Sequence, residues 1–141
     1  MALKIEQPVN RETVLEGLKP GAKAACGNAH APYSRFPVGA ALVTDGGEVF
    51  TGCNVENASF GLTICAERTA LAAAVSQGLR PGHVPALLIY TPGDVAHSPC
   101  GACRQVMHEL LSEGAMVVSC CDGSATKTWT MDQLIPNPFE F

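Results

Sequence analysis

The sequence contains no cluster of lysine or arginine residues. Its 141 residues include 9 Lys and Arg against 13 Asp and Glu, and the formal net charge is −4. A protein that binds a long polynucleotide needs a basic surface, because Lys and Arg side chains make most of the phosphate contacts. The composition therefore argues against a nucleic-acid polymer as a partner.

Long apolar runs are missing as well. Runs such as residues 70–75 are far shorter than the roughly 20 apolar residues that span a bilayer, so we expect no membrane segment. Residues 1–19 lack the apolar core of a secretory signal peptide. The seven cysteines are an odd number, which does not suit a framework of disulfides. We therefore expect a reduced, cytoplasmic setting in which a metal uses some of the thiols.

The composition is that of a globular chain, with 47% hydrophobic and 16% charged residues, and the length suits one domain over residues 1–141. Apolar runs predict strands over residues 37–43, 48–53, 86–90, 115–121 and 127–130. Helical spacing predicts helices over residues 19–29, 64–77 and 101–111, the second capped by Thr63. The Pro-rich tail over 134–139 is expected to lack regular structure. This alternation predicts an α/β fold, a three-layer α-β-α sandwich around a mixed sheet of about five strands.

Three cysteines form the most informative pattern in the chain. Cys100 and Cys103 are three positions apart, which places them one turn apart on the same face at the start of a helix. Cys65 stands at the start of another predicted helix and has to approach from that second element. Helix N-termini favour a thiolate over a thiol. Three thiolates with an open fourth position are typical of a catalytic zinc site rather than a structural one.

Two charged residues beside Cys65 extend this pattern. Glu67 is near enough to reach a water in the open position, and zinc, water and carboxylate together indicate metal-assisted attack on a carbon centre. Three thiolates on one Zn²⁺ leave a net negative charge, and Arg68 is the candidate to offset it by donating to the ligand sulfurs. Arg104, next to Cys103, could share that task. By itself the Cys-x-x-Cys pair also fits a redox motif or two core thiols, and Glu67 also fits a helix cap.

At these residues the chain resembles the small, three-cysteine cytidine deaminases. The segments that carry the resemblance are residues 32–41, 53–60, 65–70, 98–105 and the tail 134–139, and the likeness extends over residues 21–139. Zinc deaminases use a Cys or His and two further Cys as ligands, and a Glu that is not a ligand as acid and base. The resemblance implies a cytidine deaminase-like fold and hydrolytic deamination of cytidine and 2′-deoxycytidine to the uridines, as in pyrimidine salvage.

The resemblance also implies a role for each site residue. Zinc, one per chain, is expected on Cys65, Cys100 and Cys103, with zinc-bound hydroxide attacking C4 of the base. Glu67 is expected to shuttle a proton to N3 and then to the leaving amine, and Arg68 to contact the ligand sulfurs. The implied substrate contacts are Asn54 and Glu56 to the ribose 3′-hydroxyl, Phe36 stacked on the base, backbone groups of Ala66 at the pyrimidine edge, and Phe139 from a neighbouring chain of a homotetramer with shared active sites.

Several alternatives remain at this stage. A deaminase of a modified cytosine nucleoside, of the blasticidin S type, shares the cysteine motifs, although Asn54-x-Glu56 favours an ordinary ribose. A polynucleotide-editing deaminase is disfavoured by the acidic charge balance. A non-catalytic structural zinc domain needs a fourth protein ligand, and the three-cysteine set leaves no position for the nearby His97. Cys26 and Cys53 are expected to be buried and inert, and Cys120 and Cys121, adjacent in a strand and pointing to opposite faces, are not expected to be ligands. Phe139 and Phe141 could instead pack onto their own core.

Overall fold

The computed structural model describes residues 9–141, which form a five-stranded sheet with helices on both faces. The strands are β1 Gly39–Val43, β2 Val49–Cys53, β3 Ala86–Tyr90, β4 Met116–Cys120 and β5 Thr126–Trp129. The helices are α1 Arg11–Cys26, α2 Ala66–Ser76, α3 Gly101–Leu110 and the short α4 Met131–Leu134, and a 3₁₀ helix covers Phe60–Leu62. Within the described residues, no helix is both long and apolar enough to cross a membrane.

The sheet is mixed, with the strand order β2-β1-β3-β4-β5. Strand β1 pairs antiparallel with both β2 and β3, and β5 pairs antiparallel with β4. The β3 and β4 pair is parallel, which requires a crossover connection, and α3 lies in that connection. The mixed sheet of five strands confirms the predicted one.

Alternation along the central strands produces two apolar layers. One face of the sheet packs against α2 and α3, and the strand residues on it include Ala40, Leu42, Leu87, Ile89 and Val117. The opposite face packs against α1, and its strand residues include Ala41, Val43, Ala86, Leu88 and Val118. Successive strand residues point to opposite faces, so both faces of an apolar strand are buried only when helices cover both. The predicted three-layer sandwich is therefore confirmed.

Helix α1 is longer at its start than predicted. It begins at Arg11 after the cap Asn10, whose side chain accepts from the backbone N–H of Thr13 over 3.0 Å, and it runs without a break through Pro20 to Cys26. Pro in a helix interior removes a hydrogen bond and costs about 3 kcal/mol. Here Pro20 lies on the exposed side, while Val14 and Leu18 are fully buried against the sheet. Packing of the N-terminal half of α1 outweighs the local preference of proline to end a helix.

Helix α2 begins at Ala66 with Cys65 as its N-cap, so the prediction of Thr63 as the cap is wrong. The hydroxyl of Thr63 instead accepts from the backbone N–H of Asn57 over 3.2 Å. Helix α4 was not predicted; it begins with a capping box between Thr130 and Gln133, and the tail after it is irregular, as expected. Strand β3 has the predicted boundaries, and the other strand and helix boundaries differ from the predicted ones by at most two residues, apart from the C-terminal end of α1, which is three residues short of the prediction.

Glycine allows the start of α2 to lie close to the sheet. A Cβ atom at Gly52 in β2 would stand 2.4 Å from the backbone nitrogen of Ala70 and 2.7 Å from the carbonyl oxygen of Ala66. Any other residue at position 52 would push α2 away from β2. The hydroxyl of Thr69 reinforces this approach by donating to the carbonyl of Cys53 over 2.7 Å. The N-terminal turn of α2 is thereby fixed beside the end of β2.

Candidate metal and substrate site

Three cysteine thiols meet where the N-termini of α2 and α3 come together. Cys65 is the N-cap of α2, Cys100 is the N-cap of α3, and Cys103 lies in the first turn of α3. Neither N-cap sulfur caps the backbone N–H groups of its own helix, so both sulfurs are directed to the cluster rather than to a helix end. The three Sγ atoms all lie within 4.8 Å of one another, and those of Cys65 and Cys100 are 3.7 Å apart. The structure thus brings together all three cysteines that the sequence singled out.

This arrangement fits zinc. Zinc binds thiolate sulfur at about 2.3 Å in tetrahedral geometry, which places two ligand sulfurs about 3.8 Å apart. The Cys65 to Cys100 separation of 3.7 Å matches that distance. Among the described residues, this cluster contains three cysteines and no fourth His, Cys, Asp or Glu ligand. The set therefore fits a three-cysteine site that leaves one position for a reactant.

Hydrogen bonds around Cys65 favour its thiolate. The thiol of Cys103 and the guanidinium of Arg68, whose Nη2 lies 3.3 Å from the Cys65 sulfur, lower the pKa of Cys65. The same contact with Cys65, together with burial, raises the pKa of Cys103. Contacts with the sulfurs of Cys65 and Cys103 raise the pKa of Arg68, so its charge is permanent. A fixed positive charge therefore lies against the thiol cluster.

Arg104 does not share this task, which corrects the expectation that it could. Its Nε donates to the carbonyl of Pro99 over 2.8 Å, and its Nη1 donates to the carbonyl of Leu134 over 2.8 Å. These two carbonyl groups belong to the loop before α3 and to the last residue of α4, and both lie beside the Arg104 guanidinium. Arg104 connects these two segments.

Glu67 lies in the first turn of α2, and its side chain is directed toward the cysteine cluster. The residue is only 5% exposed, and its Oε2 accepts a hydrogen bond from the thiol of Cys103 over 2.9 Å. Burial raises the pKa of this carboxyl above its usual value. A carboxyl with a raised pKa both takes up and releases protons more readily near neutral pH, which suits a general acid and base.

A cavity of about 440 Å³ opens beside the cysteines. This volume lies within the range of pockets for small ligands, about 300–1,000 Å³. Its lining contains several of the predicted site residues: Phe36, Asn54, Glu56, Cys65, Ala66, Glu67 and Cys100. The structure therefore places the predicted sugar and base contacts of this chain in the same cavity as two of the three predicted metal ligands, Cys65 and Cys100.

The polar groups of Asn54 and Glu56 also hold the loop that carries Phe36. The Asn54 side chain accepts from the backbone N–H of Val38 over 2.9 Å and donates to the carbonyl of Phe36 over 2.8 Å. Glu56 accepts from the hydroxyl of Ser34, which lowers its pKa and keeps it ionised. Each of these side chains has further hydrogen-bonding capacity, because an amide has four bonding positions and a carboxylate about four acceptor sites.

His97 lines the cavity, although no sequence pattern pointed to it as a site residue. Its ring lies 5.1 Å from the ring of Phe36, centroid to centroid, with the two planes at 89°. These residues are 61 positions apart, so only the fold reveals the contact. The one signal in the sequence was the position of His97 three residues before Cys100.

Phe139 lies outside this cavity. Its backbone N–H donates to Oε1 of Gln105 over 3.1 Å, and its carbonyl accepts from Nε2 of Gln105 over 2.9 Å. Its side chain is 69% exposed, and that of Phe141 is fully exposed. The alternative that these two rings pack onto their own core is therefore wrong.

The remaining cysteines take no part in the cluster. Cys26, Cys120 and Cys121 are buried free thiols, whereas Cys53 is only half-buried and thus less enclosed than expected. Burial raises the pKa of Cys26 and that of Cys120, the latter to about 11. The thiols of Cys26 and Cys120 are therefore protonated and unreactive.

A mixed sheet between helices, three thiols at two helix N-termini, and a buried carboxyl beside a cavity of ligand size define a class of proteins, the zinc-dependent deaminases. Comparison with known proteins gives the family within this class. The family model described as "Cytidine and deoxycytidylate deaminase zinc-binding region" matches residues 15–120. The chain therefore belongs to the cytidine and deoxycytidylate deaminase family and carries one zinc site.

Individual relatives agree over nearly the whole chain. A cytidine deaminase of Sporosarcina psychrophila is 44% identical over 127 residues, which cover 89% of this chain and 90% of the relative. The crystal structure of a cytidine deaminase from Burkholderia pseudomallei has a TM-score of 0.83 and 46% identity, and the match covers 93% of this chain and all of that one. The crystal structure of the Mycobacterium tuberculosis cytidine deaminase has a TM-score of 0.72 and 36% identity over 88% and 95% of the two chains.

Proposed function

We propose that this chain catalyses the zinc-dependent hydrolytic deamination of cytidine and 2′-deoxycytidine to uridine and 2′-deoxyuridine, in pyrimidine salvage. The observation that carries this proposal is the position of Glu67, buried against Cys103 at the edge of a cavity that also contains Asn54 and Glu56. Relatives that cover most of this chain are themselves cytidine deaminases, which supports the same substrate class. We also propose that residues 1–141 act as one domain in the cytoplasm, where its free thiols stay reduced.

Zinc is held by Cys65, Cys100 and Cys103 in this proposal, and when bound it supplies Lewis-acid activation of the water that attacks C4. Arg68 stabilises the charge of the thiolates through its contact with the Cys65 sulfur at 3.3 Å. Three thiolates carry one negative charge more than a divalent ion balances, and this excess disfavours removal of a proton from water. A permanent cation at the sulfurs reduces that excess, so Arg68 assists the reaction without touching the substrate.

Glu67 carries the protons of the reaction. Deamination consumes one water and releases ammonia, so a proton has to leave the water, and protons have to reach N3 and the departing amine. Glu67 takes the proton from the attacking water and delivers it to N3 as the C4–O bond forms. It then takes the remaining proton of the new C4 hydroxyl and passes it to the amine, so that the C4–N bond breaks, ammonia leaves and the C4 carbonyl of the uridine forms. Its burial and raised pKa support both directions of transfer, and a positioned acid and base contributes about 10²–10⁴-fold to a rate.

Other residues that line the cavity bind the nucleoside in this proposal. The ionised Glu56 accepts a hydrogen bond from the ribose 3′-hydroxyl, and the Asn54 amide N–H donates one to the same hydroxyl, with the capacity that their loop contacts leave. Phe36, which is 43% exposed and lines the cavity, stacks on the base. Backbone groups of Ala66 meet the edge of the pyrimidine.

Assembly completes the site in this proposal. Several large apolar side chains in the loops before β1 and after β2 and in the tail are exposed, among them Tyr33, Phe60, Leu62, Phe139 and Phe141. Exposed apolar groups of this size favour contact between protein chains. We therefore infer a homotetramer in which Phe139 of one chain lies over the substrate cavity of its neighbour.

Conversion of cytidine to uridine and ammonia by the purified zinc-loaded protein tests this function. Glu67→Gln keeps the size of the side chain but carries no proton, so it should lose about 10²-fold or more in kcat while zinc content is unchanged. Glu16→Gln, an exposed carboxyl on α1 across the sheet, serves as the matched control. Turnover by Glu67→Gln within about tenfold of the parent, well short of the usual acid and base contribution, would show that the assigned role is wrong.

A further inference from the structure

We propose that His97 is a positioning residue for the base, which holds the ring of Phe36 in place at the wall of the substrate cavity. This inference rests on the proposed contact between Phe36 and the base. The two rings are 5.1 Å apart at 89°, and both line the cavity. Edge-to-face pairs at this separation are stabilising beyond the area that they bury.

The backbones of both residues are fixed independently of their rings. The carbonyl of Phe36 accepts from Asn54 over 2.8 Å, and its N–H donates to the hydroxyl of Ser34 over 3.0 Å. The carbonyl of His97 accepts from the fully buried hydroxyl of Ser119 over 2.5 Å. Two anchored segments therefore present their rings to each other, one before β1 and one before α3.

The side chain of Phe36 needs such a contact. It is 43% exposed, so the core alone does not fix its ring, and an exposed aromatic side chain moves between rotamers. If the ring becomes ordered only on binding, the affinity for the nucleoside is lower, because the loss of side-chain freedom opposes the stacking contact. The His97 ring orders Phe36 before the nucleoside arrives. His97 therefore acts on binding, and its effect should appear in KM rather than in kcat.

Steady-state kinetics with cytidine on four zinc-loaded proteins test the proposal: the parent, His97→Ala, Phe36→Ala and the double variant. His97→Ala should raise KM about two- to tenfold, the range expected for an aromatic pair, with kcat nearly unchanged. In the Phe36→Ala background the same change should have little further effect, because the ring that His97 positions is gone. His97→Phe should restore the parental KM, since it returns an aromatic ring to the site.

His83→Ala is the matched control, because His83 is an exposed histidine paired with Asp45 and does not line the substrate cavity. Zinc content and thermal unfolding of each variant verify that the fold is intact. An unchanged KM in His97→Ala, or an equal increase in both backgrounds, would overturn the positioning role alone. An unchanged KM in Phe36→Ala would overturn the contact between Phe36 and the base, and with it this proposal. The proposed deaminase function would still stand, because it is tested by the activity of the parent.

Discussion

The thiol of Cys103 donates a hydrogen bond to Oε2 of Glu67 over 2.9 Å, which joins the first turn of α3 to the first turn of α2. Both residues are almost completely buried, and both helices pack on the same face of the sheet. Helix α2 supplies Cys65, Glu67 and Arg68 within four positions, and α3 supplies the other two thiols. The geometry of the site therefore depends on how these two helices pack together.

Replacement of any one of the three clustered cysteines by Ala should reduce zinc content well below one equivalent per chain. It should also lower the unfolding temperature, because the binding free energy of a metal contributes to folding. Elemental analysis and thermal denaturation measure the two effects. Cys26→Ala, which alters a buried thiol on the other side of the sheet, should keep its zinc. Full zinc content in all three site variants would remove the basis of the metal assignment.

Arg68→Gln should lower kcat/KM for cytidine or zinc affinity about 10- to 100-fold, the usual cost of losing a partner of a metal ligand. The reason is the loss of the cation at the Cys65 sulfur. Arg68→Lys should retain part of the activity, since an ammonium keeps the charge but not the planar geometry of the guanidinium. Arg11→Gln, at an exposed position of α1, is the control. Parental kinetics and zinc affinity in Arg68→Gln would contradict the role.

The sequence predicts much of this structure for local reasons. Strands β1 and β3 are continuous apolar runs, and Cys65, Cys100 and Cys103 are recognisable from their spacing at predicted helix starts. What it misses depends on distant contacts. The path of α1 through Pro20 is decided by burial of Val14 and Leu18 against the sheet, which outweighs local propensity. The contact of His97 with Phe36 forms only when two loops meet.

Free cytosine should be a very poor substrate compared with cytidine, with kcat/KM lower on the order of 10⁴-fold. Without the sugar, the polar groups of Asn54 and Glu56 in the cavity lose a partner, and such sites discriminate strongly against the smaller analogue. Initial rates of ammonia release with each compound measure the ratio. Glu56→Gln should reduce the ratio of the two efficiencies, because it weakens binding of the nucleoside but not of the free base. Similar efficiencies for cytosine and cytidine in the parent would refute the sugar contacts.

The last prediction concerns the tail and the assembly. The Gln105 side chain makes two hydrogen bonds to the backbone of Phe139, and the His108 side chain pairs with that of Glu140 over 2.8 Å. Helix α3 therefore fixes the tail while the Phe139 ring stays exposed. An exposed ring on an anchored segment is suited to enter a neighbouring chain, because little freedom is lost on contact. Removal of residues 137–141 should therefore raise KM for cytidine or abolish activity while zinc stays bound.

Phe139→Ala keeps the length of the tail and should reproduce most of the kinetic defect, whereas a deletion that acted only through chain length would leave this variant unaffected. Sedimentation velocity at assay concentration should show the parent as a tetramer, because each substrate cavity then receives its Phe139 from a partner. Mixing Phe139→Ala with an excess of Glu67→Gln should raise activity above that of either alone, since a hybrid tetramer combines an intact Glu67 with an intact neighbouring ring. A fully active monomer in the sedimentation experiment, or mixed samples no more active than the separate variants, would rule out shared sites.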